Sequence, residues 1–216
     1  MSYFVRCFVS YIVLLYRVIL SDEFRKSFTK LKSPQLRREI LQKLIKLGAG
    51  WRTTVKNLDI PGVSHLAKVY KVRDLYLIWS IDMEKIERKY FQIIKIWDLL
   101  SQQNIARTVQ HLKNLFSMYT DDYLDHCRRV QTQGKLEVPM VWDVGHAIIR
   151  YNMDCKVDAH EEHGLVDTSY AMENSKVSES FLLMKFYSLS SGMAKHLLTA
   201  TDGSEINIPF ELSDEC

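Results

Sequence analysis

A change of hydrophobic period divides this chain. Between Ser21 and Gly50 the apolar residues recur every three to four positions, and from His65 to Trp97 they recur at every second position in three runs, HLAKVYKV, LYLIWSID and KYFQIIKIW. A period near 3.6 buries one stripe of a helix, and a period of two buries one face of a strand. The second block therefore predicts an antiparallel meander whose strands are separated by the short breaks Arg73-Asp74 and Met83 to Arg88. In the third run Phe91, Ile93, Lys95 and Trp97 share one face, and Gln92, Ile94 and Ile96 share the other. Both faces are largely apolar, so this strand is expected inside the sheet with helices as cover.

The first block supplies those helices. YRVIL, Tyr16 to Leu20, reads as a strand that stops at Ser21-Asp22, an N-cap pair. Phe24 and Phe28 then form one apolar stripe, Ser33-Pro34 restarts the chain as N-cap and first helical residue, and Gly48 and Gly50 end the second helix. Arg25, Lys26, Lys30, Lys32, Arg37, Arg38, Lys43 and Lys46 make this a basic helical hairpin. Downstream, Ser101 caps an amphipathic helix carrying Ile105, Val109, Leu112, Leu115 and Phe116, and Thr120-Asp121-Asp122 starts another with Tyr123, Leu124 and Cys127. The expected fold is α+β: an N-terminal helical hairpin packed on an antiparallel sheet, followed by a helical C-terminal region. Its expected organisation is an apolar N-terminal segment over 1–15, an α+β module with trailing helices over 16–131, an irregular acidic linker over 132–177, and a helical segment over 178–216.

Composition narrows the chemistry. With 29 Lys and Arg against 26 Asp and Glu, the net charge of +3 argues for no polyanionic partner by itself. The charges are unevenly distributed, ten basic and three acidic from Asp22 to Lys56, four basic and twelve acidic from Asp154 to Cys216. Cys7, Cys127, Cys155 and Cys216 lack the spacing of a disulfide framework or zinc knuckle, so a reducing, intracellular setting, nuclear or cytoplasmic, is expected. Arg6 and Arg17 bracket an apolar run of ten residues, short of the roughly 20 a spanning helix needs, and no membrane partner is expected.

Catalytic patterns are missing. Asp158, His160, Glu161, Glu162 and His163 form an acidic cluster whose histidines are three apart, where a helical zinc pair needs four. Gly134-Lys135 is followed by Leu136 and preceded by no partner glycine, so it cannot make a phosphate-cradling P-loop. No GxSxG elbow or protease cysteine signature occurs. No catalytic residue, metal or cofactor is therefore expected. Candidate contacts to nucleic acid are Lys68, Lys71, Arg73 and Lys95, because a cation on an apolar strand is costly unless it reaches water or an anion.

Two resemblances extend this reading. The order strand, basic hairpin and meander, with SDEFRKSFTKLKSP at its entry and VYKVRDLYLIWSID in the sheet, resembles the RelE/ParE toxin fold over Tyr16 to Leu100. That resemblance implies an RNA-binding or vestigial ribonuclease surface. Tyr76 stands where the toxins commonly carry arginine, and Trp97-Asp98 stands where they carry His or Tyr, which argues against an active nuclease. A longer set of phrases, FRKSFTKLKSP, LIKLGAGWR, YLIWSIDMEK, YFQIIKIWDLL, MYTDDYLDHCR, GKLEVPMVW, SFLLMKFYSLSSG and INIPFELSDE, resembles the region upstream of the ATPase core in plant UvrD-like superfamily 1 helicases related to the TPR and ankyrin repeat-containing protein. In that family the stretch after PFELSDEE leads into the Walker A strand. The resemblance implies a non-catalytic accessory region, a fragment or truncated product, whose partner in cis is a helicase motor domain, with RNA or DNA as a further partner.

Overall fold

The computed structural model describes residues 14–52, 66–143, 145, 148–152, 185–189 and 211–212. The first strand, β1 (Val18–Ser21), runs directly into α1 (Asp22–Thr29). Ser21 makes the junction: its hydroxyl accepts from the Phe24 N–H at 3.0 Å and donates to the Trp97 carbonyl, so one side chain caps the helix and ties it to the sheet. α2 (Pro34–Gly48) starts likewise, with the Ser33 hydroxyl accepting from the Leu36 N–H and proline in the first turn. The apolar stripes of this hairpin, Phe24 and Phe28 on α1 and Ile40, Leu44 and Leu47 on α2, are buried.

The meander follows as β2 (Ala67–Val72), β3 (Leu75–Ile86) and β4 (Lys89–Ser101). β1 lies parallel to β4, with Val18 opposite Ile94 and Leu20 opposite Ile96, the hairpin and the first two meander strands forming the long connection that a parallel neighbour needs. β4 is thus flanked by β3 and β1, which explains its two apolar faces. On one face Phe24 and Leu44 of the hairpin pack on Leu77, Trp79 and Ile96 of the sheet. On the other, Ile78, Ile93 and Trp97 meet Ile105, Leu112 and Phe116 of α3 (Gln102–Ser117), and Tyr123 and Cys127 of α4 (Asp121–Arg128). The fold is α+β, with helices on both faces of a mixed sheet.

Three expectations differ from what the structure shows. The break expected over Met83 to Arg88 is only the turn Glu87-Arg88, since β3 continues through Ile86. The first part of the irregular linker expected over 132–177 instead belongs to the hairpin β5 (Gln131–Gln133) and β6 (Leu136–Val138), followed by β7 (Val141–Asp143), which pairs with β4. Gly134, in the left-handed region at φ +63°, permits that hairpin turn. The third difference concerns the expected C-terminal helix. Phe186–Leu189 is a strand, β8, which pairs antiparallel with β1 and carries β9 (Glu211–Leu212) on its other side. The sheet order is β2-β3-β4-β1-β8-β9, so the proposed boundary near residue 131 is not an edge of the sheet. Phe186 and Leu189 have helical spacing, while Tyr187 and Leu189 also have strand spacing. The open side of β1, next to the buried Val18 and Leu20, selects the strand. The rest of 153–216 lies outside the described residues, as do residues 1–13. Among the described residues no helix is long and apolar enough to cross a membrane.

Gly50 couples the helical hairpin to the β5–β6 hairpin. Its φ is +82°, its carbonyl accepts from the Glu137 N–H at 2.9 Å, and a Cβ placed on it would lie 2.1 Å from the Glu137 carbonyl oxygen. Gly50→Ala is expected to destabilise the protein by about 1–3 kcal/mol, because backbone must move as well as φ. Urea denaturation measures it, and a midpoint equal to that of the parent would show that this contact does not constrain the fold.

Candidate functional site

Two groups of polar side chains lie among the apolar ones. The first is buried between the sheet and α4. Asp82 of β3 and Lys95 of β4 are 2% and 3% exposed, and the Lys95 ammonium lies 2.9 Å from Asp82 Oδ2. Asp82 Oδ1 accepts from the Tyr123 hydroxyl and the Met83 N–H, and the Arg150 guanidinium approaches it to 3.3 Å. Arg150 also donates to Tyr123 Oη and to the Met83 carbonyl, each at 2.8 Å. Burial alone would raise the Asp82 carboxyl, but the charges of Lys95 and Arg150 and the Tyr123 hydroxyl hold it below the usual carboxylate range. Burial, reinforced by the Asp82 charge, pushes the Tyr119 and Tyr123 phenols well up. The same two causes raise the Cys127 thiol, so its nucleophilic thiolate is disfavoured. The Asp82 carboxyl, the Tyr119 and Tyr123 phenols and the Cys127 thiol are all shifted away from neutrality, which suits a structural clamp rather than proton transfer.

The second group surrounds a cavity of about 240 Å³ near one end of β2, lined in part by Lys68, Arg128, Arg129 and Glu137, with Tyr16, Leu66 and Ile81 among its apolar walls. Behind it Arg52 bonds Glu137 Oε2 and the Leu47 carbonyl, each at 2.7 Å, while its remaining Nη2 is buried without a partner. Lys68 and Arg52 both lie against the Trp79 ring, 5.0 and 5.3 Å from its centroid. Burial lowers the Lys68 ammonium, opposed by the Glu137 carboxylate, and among the described residues Lys68 has no ion pair.

The four cations singled out in the sequence do not converge. Lys68 is opposite Trp79 and shares the face covered by the helical hairpin, whereas Lys71 is opposite Tyr76 on the other face. Lys71 is exposed, with its ammonium 5.8 Å from the Tyr76 ring. Arg73 occupies the turn before β3 in the left-handed region, and its Nε donates to Glu39 of α2 at 2.9 Å. Lys95 belongs to the buried clamp. Asp82, Arg150, Arg52, Arg129 and Glu137 were not distinguished by the sequence. The acidic cluster at Asp158 to His163 lies outside the described residues, and among the described residues no group of three or more His, Cys, Asp or Glu could hold a metal ion. No known family matches the chain, and no curated protein or solved structure matches it either.

Proposed function

We propose that this chain is a non-catalytic accessory module of a UvrD-like helicase, in which the sheet and its helices form a scaffold beside a motor domain carried in cis. The observation that supports this reading best is that several of the described reactive groups are committed to the protein's own packing. Lys95 neutralises Asp82, Arg73 meets Glu39, and the Cys127 thiol is buried and raised. The helicase-like phrases also fall on elements of the main sheet, its cover and the adjoining β5–β6 hairpin: YLIWSIDMEK on β3, YFQIIKIWDLL on β4, MYTDDYLDHCR running into α4, GKLEVPMVW on β6 and β7, and part of SFLLMKFYSLSSG on β8. Residues so distributed pack together as a unit, which suits a module better than a linker.

The alternative, a nucleic-acid surface built from Lys68, Lys71, Arg73 and Lys95, has weaker support. Its four cations are divided between two faces and a turn, and Tyr76 and Trp79 beneath the lysines are buried and offer no stacking platform.

Calorimetric titration with ATP and magnesium is expected to show no binding in the micromolar range. A micromolar dissociation constant would overturn the non-catalytic reading. Sequencing of the transcript downstream of the Cys216 codon is expected to find an in-frame GxxxxGK[ST], and a stop codon with no such sequence beyond it would remove the helicase assignment.

A further inference from the structure

We propose that the cavity beside β2 binds a phosphate monoester, held by Lys68, Arg128 and Arg129. Among the described residues three cations and one carboxylate, Glu137, line it, an excess of positive charge that a dianion would neutralise. Arg128 lies 3.3 Å from the exposed Asp125, whereas Lys68 and Arg129 have no ion pair among the described residues. Lys68 is the more telling of the two. It extends from a largely apolar sheet face, rests against Trp79, and is partly desolvated. A partly desolvated ammonium with no ion pair among the described residues is unfavourable, and an anion in the cavity reduces that cost.

Volume and lining indicate the kind of molecule. At about 240 Å³ the cavity is far larger than the roughly 10–15 Å³ that admits a single water, so it has more room than a bare phosphate needs. Tyr16, Leu66, Ile81 and Val130 give the remaining space apolar walls suited to a small organic group. Glu137 is fixed by Arg52, so it is turned toward that guanidinium and its repulsion of an incoming anion is reduced. The same chemistry is present in a free phosphorylated metabolite and in the terminal phosphate of a nucleic-acid strand. This inference depends on the cavity and not on the helicase reading.

The full chain is titrated calorimetrically with inorganic phosphate, adenosine monophosphate, adenosine, and hexa-adenylate with either a phosphate or a hydroxyl at its 5′ end. Adenosine monophosphate and the phosphorylated oligomer are expected to bind saturably. Adenosine and the hydroxyl oligomer are expected not to, and the tighter of the two phosphorylated probes identifies the source. Lys68→Met and Arg129→Ala should each weaken binding about tenfold or more, while Lys71→Ala on the opposite face leaves it unchanged. Circular dichroism checks that each variant is folded, and the exposed Arg129 provides a variant whose loss cannot unfold the core. The proposal is overturned if neither phosphorylated probe saturates below about 10 mM, if both oligomers bind equally, or if a folded Lys68→Met or Arg129→Ala binds as the parent does.

Discussion

Asp82→Ala is expected to cost about 3–5 kcal/mol of folding stability, because it leaves Lys95 and Arg150 buried without their shared carboxylate. For a domain of this size that is a large fraction of the total, so the variant should be partly unfolded or aggregated at 37 °C. Asp82→Leu combined with Lys95→Met should recover much of the loss, since it replaces the ion pair with apolar side chains of similar volume, although Arg150 is still left to find water. Urea denaturation of the three proteins decides it. An Asp82→Ala midpoint within experimental error of the parent would show that water replaces the carboxylate at no cost and that the cluster is not a clamp.

The same cluster predicts an acid limit. The folded-state pKa of Asp82 is depressed, so the stability it contributes is fully present above the unfolded value of about 3.9 and is lost as pH falls through the folded value. Asp98 works in the opposite direction: burial raises its carboxyl, so the folded protein takes up its proton more readily than the unfolded chain and stability gains as the pH falls toward it. Stability measured against pH should therefore decline steeply only below about pH 4. That decline should be shallower in Asp82→Leu/Lys95→Met, and Asp98→Asn should remove the gain without changing the decline.

How far the sequence revealed the clamp depended on one turn. Lys95 is a cation on an apolar strand that needs water or an anion, and the preceding run carries one, Asp82. Pairing them requires the register. Counted from the Glu87-Arg88 turn, Ile86 faces Lys89, Asp82 faces Ile93 and Ser80 faces Lys95, which sets Asp82 and Lys95 diagonally on one face. A break spread over Met83 to Arg88 leaves that count undefined. Lys85 and Ile86 at the strand end are exposed and read as loop, and Glu87 takes φ +54° without the glycine that marks such a turn. Arg150 was less legible still, since it belongs to a stretch without periodicity and reaches Met83 across 67 residues of sequence. The helices were easier to read because Ser21, Ser33 and Thr120 cap them locally and their apolar stripes repeat. The cavity cations come from β2 and from the end of α4, so only the tertiary fold brings them near one another.

Cutting the chain between Thr168 and Ser169, at an introduced protease site, is expected to leave the two pieces associated. Four residues of β8 pair with β1, from Val18 opposite Leu189 to Ser21 opposite Phe186, and the Asp22 N–H donates to the Lys185 carbonyl at 3.0 Å. Side chains reinforce the backbone: Tyr187 and Leu189 are buried with Val18 and Leu20, Arg17 donates to the Ser188 hydroxyl at 2.9 Å while also pairing with Glu84, and Arg25 lies 4.6 Å from the centroid of the Tyr187 ring. Without β8, a side of β1 that is fully buried in the folded chain would be left as an unpaired edge next to an apolar face, a surface prone to aggregation. The cut protein should therefore elute as one species in size-exclusion chromatography and separate into two only in denaturant. Leu189→Asp should break that association, because a carboxylate placed at a 3% exposed position costs about 3 kcal/mol or more. In the uncut chain the same substitution should lower the urea midpoint, since the strand stays tethered but can no longer seal the sheet. A C-terminal fragment that elutes separately after native cleavage, with a well-folded N-terminal remainder, would show that β8 is dispensable and that the sheet ends at β1.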